Sequence, residues 1–252
     1  MTCSTHRRSV GRLCTRAALG LLLLAGLGSA QALGQTVFFS DFNGAALPAQ
    51  INAGSAALTG VQGYAGLGSV GNQFGGSFLR SATANTVTLT LTNLPTHDHI
   101  GLGFLFAAID SLDGTGSFPS GDFLNISIDG HSIFRESFAN ATASQIQSYV
   151  PTAGVELARR VDLGFSGPGS FYTDSAYNLG ADPRFGNIAH SASTLTLSFL
   201  IEGVGVQDLN DESWAVDNLR VSVITSAVPE PASAAMWLLG LGLLGALARR
   251  RR

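Results

Sequence analysis

The chain has 252 residues, 45% of them hydrophobic and 12% charged, with a formal net charge of −3. Its 14 basic residues are all arginine and eight lie in residues 7–16 and 249–252, so between residues 36 and 226 six arginines meet sixteen acids, a balance of −10. That balance argues against a polyanion-binding body and favours solubility and association with cations.

The N-terminus reads as an export signal. Arg7, Arg8, Arg12 and Arg16 form a basic region, residues 17–27 are apolar, and Gly28-Ser29-Ala30-Gln31-Ala32 offers small residues to signal peptidase. Cleavage is expected after Ala32, with Ala30 as the second choice, and the twin-arginine and general routes both fit. Both cysteines, Cys3 and Cys14, fall inside this 1–32 signal peptide, so the exported body carries no disulfide. A body of about 190 residues is large enough to build one core without such staples.

Residues 33–224 read as a single all-β domain. Strand-like runs are expected at 36–40, 77–80, 86–92, 100–108, 123–128, 132–138, 160–165, 194–201 and 215–223. From Thr86 to Thr92 the alternation places Val87, Leu89 and Leu91 on one face, and Asp129-Gly130 marks a tight hairpin. Such a series predicts a jelly-roll-like β-sandwich. The Gly-rich connections 54–76 and 166–187 are expected to be functional or mobile loops, and residues 141–149 the one short helix between the termini.

Several segments carry residues suited to chemistry. His97-Asp98-His99 has the spacing of two metal ligands but leads from a loop into a strand, where polar residues are ordinary. Asp110-Ser111-Leu112-Asp113-Gly114-Thr115-Gly116 with Asp122, and Asp208-Leu209-Asn210-Asp211-Glu212, are acidic loops read first as solvated turns, with ion binding as the alternative; the first lacks Asp-x-Asp-x-Asp-Gly spacing. Loop aromatics Tyr64, Phe74, Tyr149, Phe171, Tyr172 and Tyr177 are candidates for stacking on sugar rings, with Phe171, Tyr172 and Tyr177 the best cluster, although aromatics in such loops more often tuck back to close the edge of a sandwich. No nucleophile elbow occurs and no acid pair is singled out by spacing, so the chain is not read as an enzyme.

Val37-Phe38-Phe39-Ser40-Asp41-Phe42-Asn43-Gly44 opens the body, and Glu212-Ser213-Trp214-Ala215-Val216-Asp217-Asn218-Leu219-Arg220-Val221 closes it. The closing run resembles the last strand of jelly-roll carbohydrate-binding modules and of laminin-G- or MAM-like sandwiches. That resemblance implies a structural calcium ion held by Asp41 and Asp217, since calcium takes six to eight oxygen ligands. In the plainer alternative, Asp217 caps the strand or pairs with Arg220, and Trp214 fills the core.

The C-terminus is tripartite. A linker at 225–231 contains Pro229-Glu230-Pro231, residues 232–248 are apolar, and Arg249, Arg250, Arg251 and Arg252 end the chain. As a helix the apolar run is about 26 Å long, enough to cross a thin bilayer, and the arginines stop transfer and stay cytoplasmic. This order resembles the PEP-CTERM sorting signal of Gram-negative bacteria, read by an exosortase, a membrane transpeptidase. The resemblance implies an inner-membrane-anchored precursor facing the periplasm, then a cell-surface or extracellular protein in an exopolysaccharide setting. Its role would be structural or binding. The alternatives are a calcium-stabilised carbohydrate-binding module and a jelly-roll glycan-active hydrolase or lyase.

Overall fold

A computed structural model describes residues 33–115, 121–165, 172–226 and 233–250. The signal peptide, Phe171, the Pro229-Glu230-Pro231 motif, Arg251 and Arg252 lie outside the described residues. In chain order the strands begin β1 (Leu33–Ser40), β2 (Ile51–Asn52), β3 (Ala57–Gly60), β4 (Gly68–Ser69), β5 (Asn72–Gln73), β6 (Ser77–Ala82), β7 (Val87–Thr92) and β8 (His99–Asp110). They continue as β9 (Phe123–Ile128), β10 (His131–Ser137), β11 (Glu156–Val161), β12 (Asp174–Tyr177), β13 (Ile188–Ala189), β14 (Thr194–Glu202) and β15 (Glu212–Thr225). Helix α1 (Ser233–Arg250) follows.

Two antiparallel sheets pack face to face. The larger runs β11-β12-β8-β15-β6-β3, with β1 added to β15 and β13 to β8; the smaller runs β10-β9-β14-β7-β2. The chain crosses between them at β6–β7–β8–β9 and again at β14–β15, which is the expected jelly-roll-like sandwich. Alternation drives the smaller sheet: Val87, Leu89 and Leu91 of β7, Leu124, Ile126 and Ile128 of β9, and Leu195, Leu197, Phe199 and Ile201 of β14 are all buried. They meet Phe104, Phe106, Trp214 and Val216 from the larger sheet in one core. Asp129 (φ 50°) and Gly130 (φ 80°) form the two-residue turn of the β9–β10 hairpin, where both positions need positive φ.

The two longest strands break the alternation. From Leu105 to Asp110 in β8, and from Glu212 to Asp217 in β15, every residue is buried. Both faces are covered there, because a second cluster of Val61, Tyr64, Phe74, Phe78, Phe165 and neighbours packs on the outer face. The 54–76 connection, expected to be mobile or functional, supplies Tyr64 and Phe74 to that cluster, fully buried. Likewise the described part of 166–187 forms β12 and two short 3-10 turns that bury Tyr177, Leu179 and Phe185. Aromatic and apolar area decides both cases, since leaving these rings in water would forfeit about 2 kcal/mol each.

Other expectations change too. Residues 141–149 are turns rather than a helix: Arg160 donates to the carbonyls of Ala143 and Gln145, and the Thr115 N–H donates to that of Ile146. These carbonyls are directed at donors outside the segment rather than at an N–H four residues on. The strand expected at 160–165 ends at Val161, and Leu163 and Phe165 fold over the outer face instead. Helix α1 covers the apolar tail, but among the described residues no helix is long and apolar enough to cross a membrane. Its part before Arg249 and Arg250 is only about 24 Å long, against a hydrocarbon core of about 30 Å.

Candidate functional site: an acidic cluster where two loops meet

Pairing of β8 with β15 sets Glu212 directly opposite Asp110. This register brings the turn after β8 against the turn before β15, two acidic segments about one hundred residues apart in sequence. Ser111 Oγ donates to Asp211 Oδ1 (2.8 Å) and to its carbonyl oxygen (2.9 Å), holding the two turns together. One carboxylate oxygen from each of Asp113, Asp122 and Glu212 lies within 4.8 Å of the others. Asp122 is 1% exposed and Glu212 0%, while Asp113 is half-buried.

Amide donors hold all three carboxylates, and Gln207 reaches both oxygens of Glu212, its Nε2 donating to Oε1 at 3.3 Å. The Asp113 N–H donates to Asp122 Oδ2 (2.6 Å), Gln145 Nε2 donates to Asp113 Oδ1, and the Gln207 N–H donates to Glu212 Oε2 (2.9 Å). Asp122 Oδ1 is buried without a hydrogen-bond partner. Burial, then the nearby Asp122 charge, pushes Glu212 up to about 7; burial pushes Asp122 up to about 6. Burial raises Asp113 as well, against the hydrogen bond from Gln145. Next to the cluster, Asp110 adopts φ 61° and buries both carboxylate oxygens without hydrogen bonds; Arg80 Nη2 stands 3.8 Å from Oδ2. Burial, then Asp174, raises Asp110 to about 7.

The expected calcium pair behaves differently. Asp217 is 1% exposed and its carboxylate accepts the N–H groups of Asn218 (2.7 Å) and Gly75 (3.2 Å). Asp41 is exposed and accepts the Asn43 N–H (3.2 Å). The two sense each other, because burial first and the Asp41 charge in addition push Asp217 up to about 7. Arg220 stacks over Phe39, 5.3 Å from its centroid. Trp214 fills the core and donates from Nε1 to the Ala82 carbonyl, as the plainer reading expected.

Burial and bonding place two further sets of candidates. Tyr177 is fully buried, donates to Gln147 Oε1 and packs on Phe138 and Tyr149, so it has no face for a sugar; Tyr64, Phe74 and Tyr149 are buried likewise. Tyr172 is half-buried, and burial followed by the charges of Asp211 and Asp113 raises its hydroxyl pKa. His97 Nε2 lies 2.7 Å from His190 Nδ1, while His99 turns to Asp98, so the His-x-His pair does not converge on a metal.

A groove of roughly 260 Å³ opens where the β4–β5 turn meets residues 178–181, lined by Asn72, Asn178, Asn218 and Arg220 among others. It draws on amides that no sequence pattern marked.

Among solved structures, similar folds include the tandem CBM22-1-CBM22-2 domain of Paenibacillus barcinonensis Xyn10C, at 13% identity and TM-score 0.37, covering 75% of this chain and 50% of that one. The CBM22-1-GH10 modules of Clostridium thermocellum xylanase 10B, complexed with xylohexaose, match at 10% identity and TM-score 0.29, covering 78% and 29%. The Agl-KA catalytic domain matches at 12% identity and TM-score 0.33, covering 76% and 30%. The chain thus spans no more than half the length of these structures. No curated protein matches the sequence. Residues 227–252 match the PEP-CTERM protein-sorting motif, so this β-sandwich ends in the sorting signal of exported, exosortase-processed proteins.

Proposed function

We propose that the chain is exported, held at the inner membrane by its tail with the body in the periplasm, and cut by an exosortase near Pro229-Glu230-Pro231. The released sandwich then acts at the cell surface or in an exopolysaccharide matrix as a non-catalytic binding or structural module. The observation that carries this reading is the sorting motif at 227–252, set behind an acidic β-sandwich. With an apolar part of only about 24 Å, this anchoring requires the bilayer to thin locally around the tail, and Arg249 and Arg250 in the last turn favour the cytoplasmic side.

Carbohydrate is the ligand class we favour. Planar amides of Asn72, Asn178 and Asn218 and the Arg220 guanidinium line one groove, and such groups pair well with vicinal hydroxyls. Phe39, half-exposed and stacked on Arg220, offers an aromatic face beside it. A glycan-active enzyme is less well supported, because Asp122 and Glu212 are too buried to touch a glycosidic oxygen. A calcium-stabilised version rests on the Asp41–Asp217 proximity, and there Asp217→Ala should abolish any calcium-dependent rise in melting temperature.

The sorting step is tested by co-expression with the matching exosortase. Pro229→Ala combined with Pro231→Ala should leave the protein at precursor mass on the membrane, and normal maturation of that variant would sink the reading. For the groove, Arg220→Ala should lower retention in affinity electrophoresis through the host exopolysaccharide; unchanged mobility would exclude it as the glycan site.

A further inference from the structure

We propose that Asp113, Asp122 and Glu212 form a binding site for a divalent cation of the calcium type, tying the turn after β8 to the turn before β15. Three observations converge on it. One oxygen from each carboxylate lies within 4.8 Å of the other two, a spacing that fits a shared ion. Asp122 is 1% exposed, yet its Oδ1 has no hydrogen-bond partner, so an acceptor capable of binding a cation is buried at the cluster. Among the described residues none of the three acids forms an ion pair, and the nearby arginines are engaged elsewhere: Arg80 with Ser213 and the Leu209 carbonyl, Arg160 with the carbonyls of Ala139, Ala143 and Gln145.

Packing around the cluster supports the same reading. A Cβ on Gly203 would collide with the Gly121 carbonyl and stand 3.5 Å from Asp122 Oδ1. A Cβ on Gly121 would strike the Gly114 carbonyl, and one on Gly114 (φ 77°) the Ile146 carbonyl. The three glycines therefore let backbone and carboxylates crowd together. Burying like charges this closely is strongly unfavourable without a counterion, and a bound dication would allow all three to stay ionised. The donors are oxygens only, which selects a hard cation over zinc or copper. Carboxylates gathered from separate segments around closely packed glycines suit calcium's irregular shell better than magnesium's compact octahedron. The site shares no residue with Asp41 and Asp217.

The test uses the chain with its C-terminal tail, in detergent, stripped with chelator and then titrated calorimetrically with Ca²⁺ and, separately, Mg²⁺. Ca²⁺ should bind and Mg²⁺ should bind more weakly. Glu212→Gln should weaken Ca²⁺ by about tenfold or more through loss of ligand charge. Asp113→Asn should do the same; this half-buried position keeps the domain folded, which circular dichroism verifies. Asp217→Asn should leave that event intact. No binding of Ca²⁺, equal binding of Mg²⁺, or an event that survives Glu212→Gln and Asp113→Asn but vanishes in Asp217→Asn would each overturn the proposal.

Discussion

Asp182 and Asp122 are both nearly inaccessible carboxylates, 4% and 1% exposed, yet the fold treats them in opposite ways. Asp182 receives Arg184 Nη2 (2.8 Å) and Nε (3.1 Å to Oδ1), the Arg184 N–H (3.0 Å) and the Tyr149 hydroxyl (3.0 Å). Burial alone would raise it, but the hydrogen bonds from Arg184 and Tyr149 outweigh burial and hold it below the usual carboxylate range. Arg184 reaches on to Glu136 (3.0 Å) and lies over Phe134 and Tyr149. Asp122, with Glu212 and Asp110 nearby, has no comparable cation, and burial pushes all three upward. Asp182 is neutralised by the chain itself and Asp110 has Arg80 only at 3.8 Å, whereas among the described residues Asp122 and Glu212 have no ion-pair partner.

The largest expected break in this comparison is Asp182→Ala. It strands the Tyr149 hydroxyl and half of the Arg184 guanidinium, and should destabilise the fold by about 2 kcal/mol in urea unfolding, after allowing for solvent around Arg184. A loss within error would mean that Glu136 alone satisfies Arg184. The paired acid also sets a pH limit. Its folded-state pKa is depressed, so its contribution is present above the unfolded value near 4 and disappears as pH falls below it. Acid titration of the wild type should show this loss, and Asp182→Ala should not.

Asp110→Asn sharpens the other half. Asp110 is raised to about 7, so the folded state holds a proton that the unfolded chain releases near 4, and stability falls as pH rises through that window. Asn accepts φ 61° more readily than most residues and carries no charge. The variant should flatten the decline in melting temperature between pH 5 and pH 8 and gain about 1 kcal/mol at pH 8. An unchanged slope would show that Arg80, 3.8 Å away, already compensates the charge. The smallest effect belongs to the exposed pair Arg135–Glu202 (3.3 Å), where Arg135→Gln should cost about 0.5 kcal/mol or less, part of it lost stacking on Phe123. A larger loss would mean that solvent-exposed pairs matter here as much as buried ones.

Much of the sandwich was legible in the chain. Strand β7 announced itself by alternation and the β9–β10 hairpin by Asp129-Gly130, because a two-residue period and a positive-φ turn are local properties. Strands β2, β4, β5 and β13 escaped notice: each is two residues long and exists only because a neighbouring segment offers hydrogen bonds. Where the loop aromatics lie was not legible locally, for a related reason. Tyr64 sits in Gly-rich surroundings that look exposed, yet its ring meets Phe74, Phe78 and Phe165, drawn from three separate segments.

The sequence by itself determined the charge and the sorting tail: a lysine-free acidic body, and a Pro-Glu-Pro segment with an apolar run and arginines that matches the sorting motif. These are written in contiguous residues and act through their chemistry whatever the fold. Which acids meet was decided only by tertiary structure. Asp113 just after β8, Asp122 just before β9, and Glu212 about ninety residues later come together because β8 and β15 pair with Asp110 opposite Glu212 and three glycines leave room for close approach. A one-residue slip in that pairing would turn every side chain of a strand to the opposite face. Long-range hydrogen bonding, to which no local spacing points, set the geometry of the site.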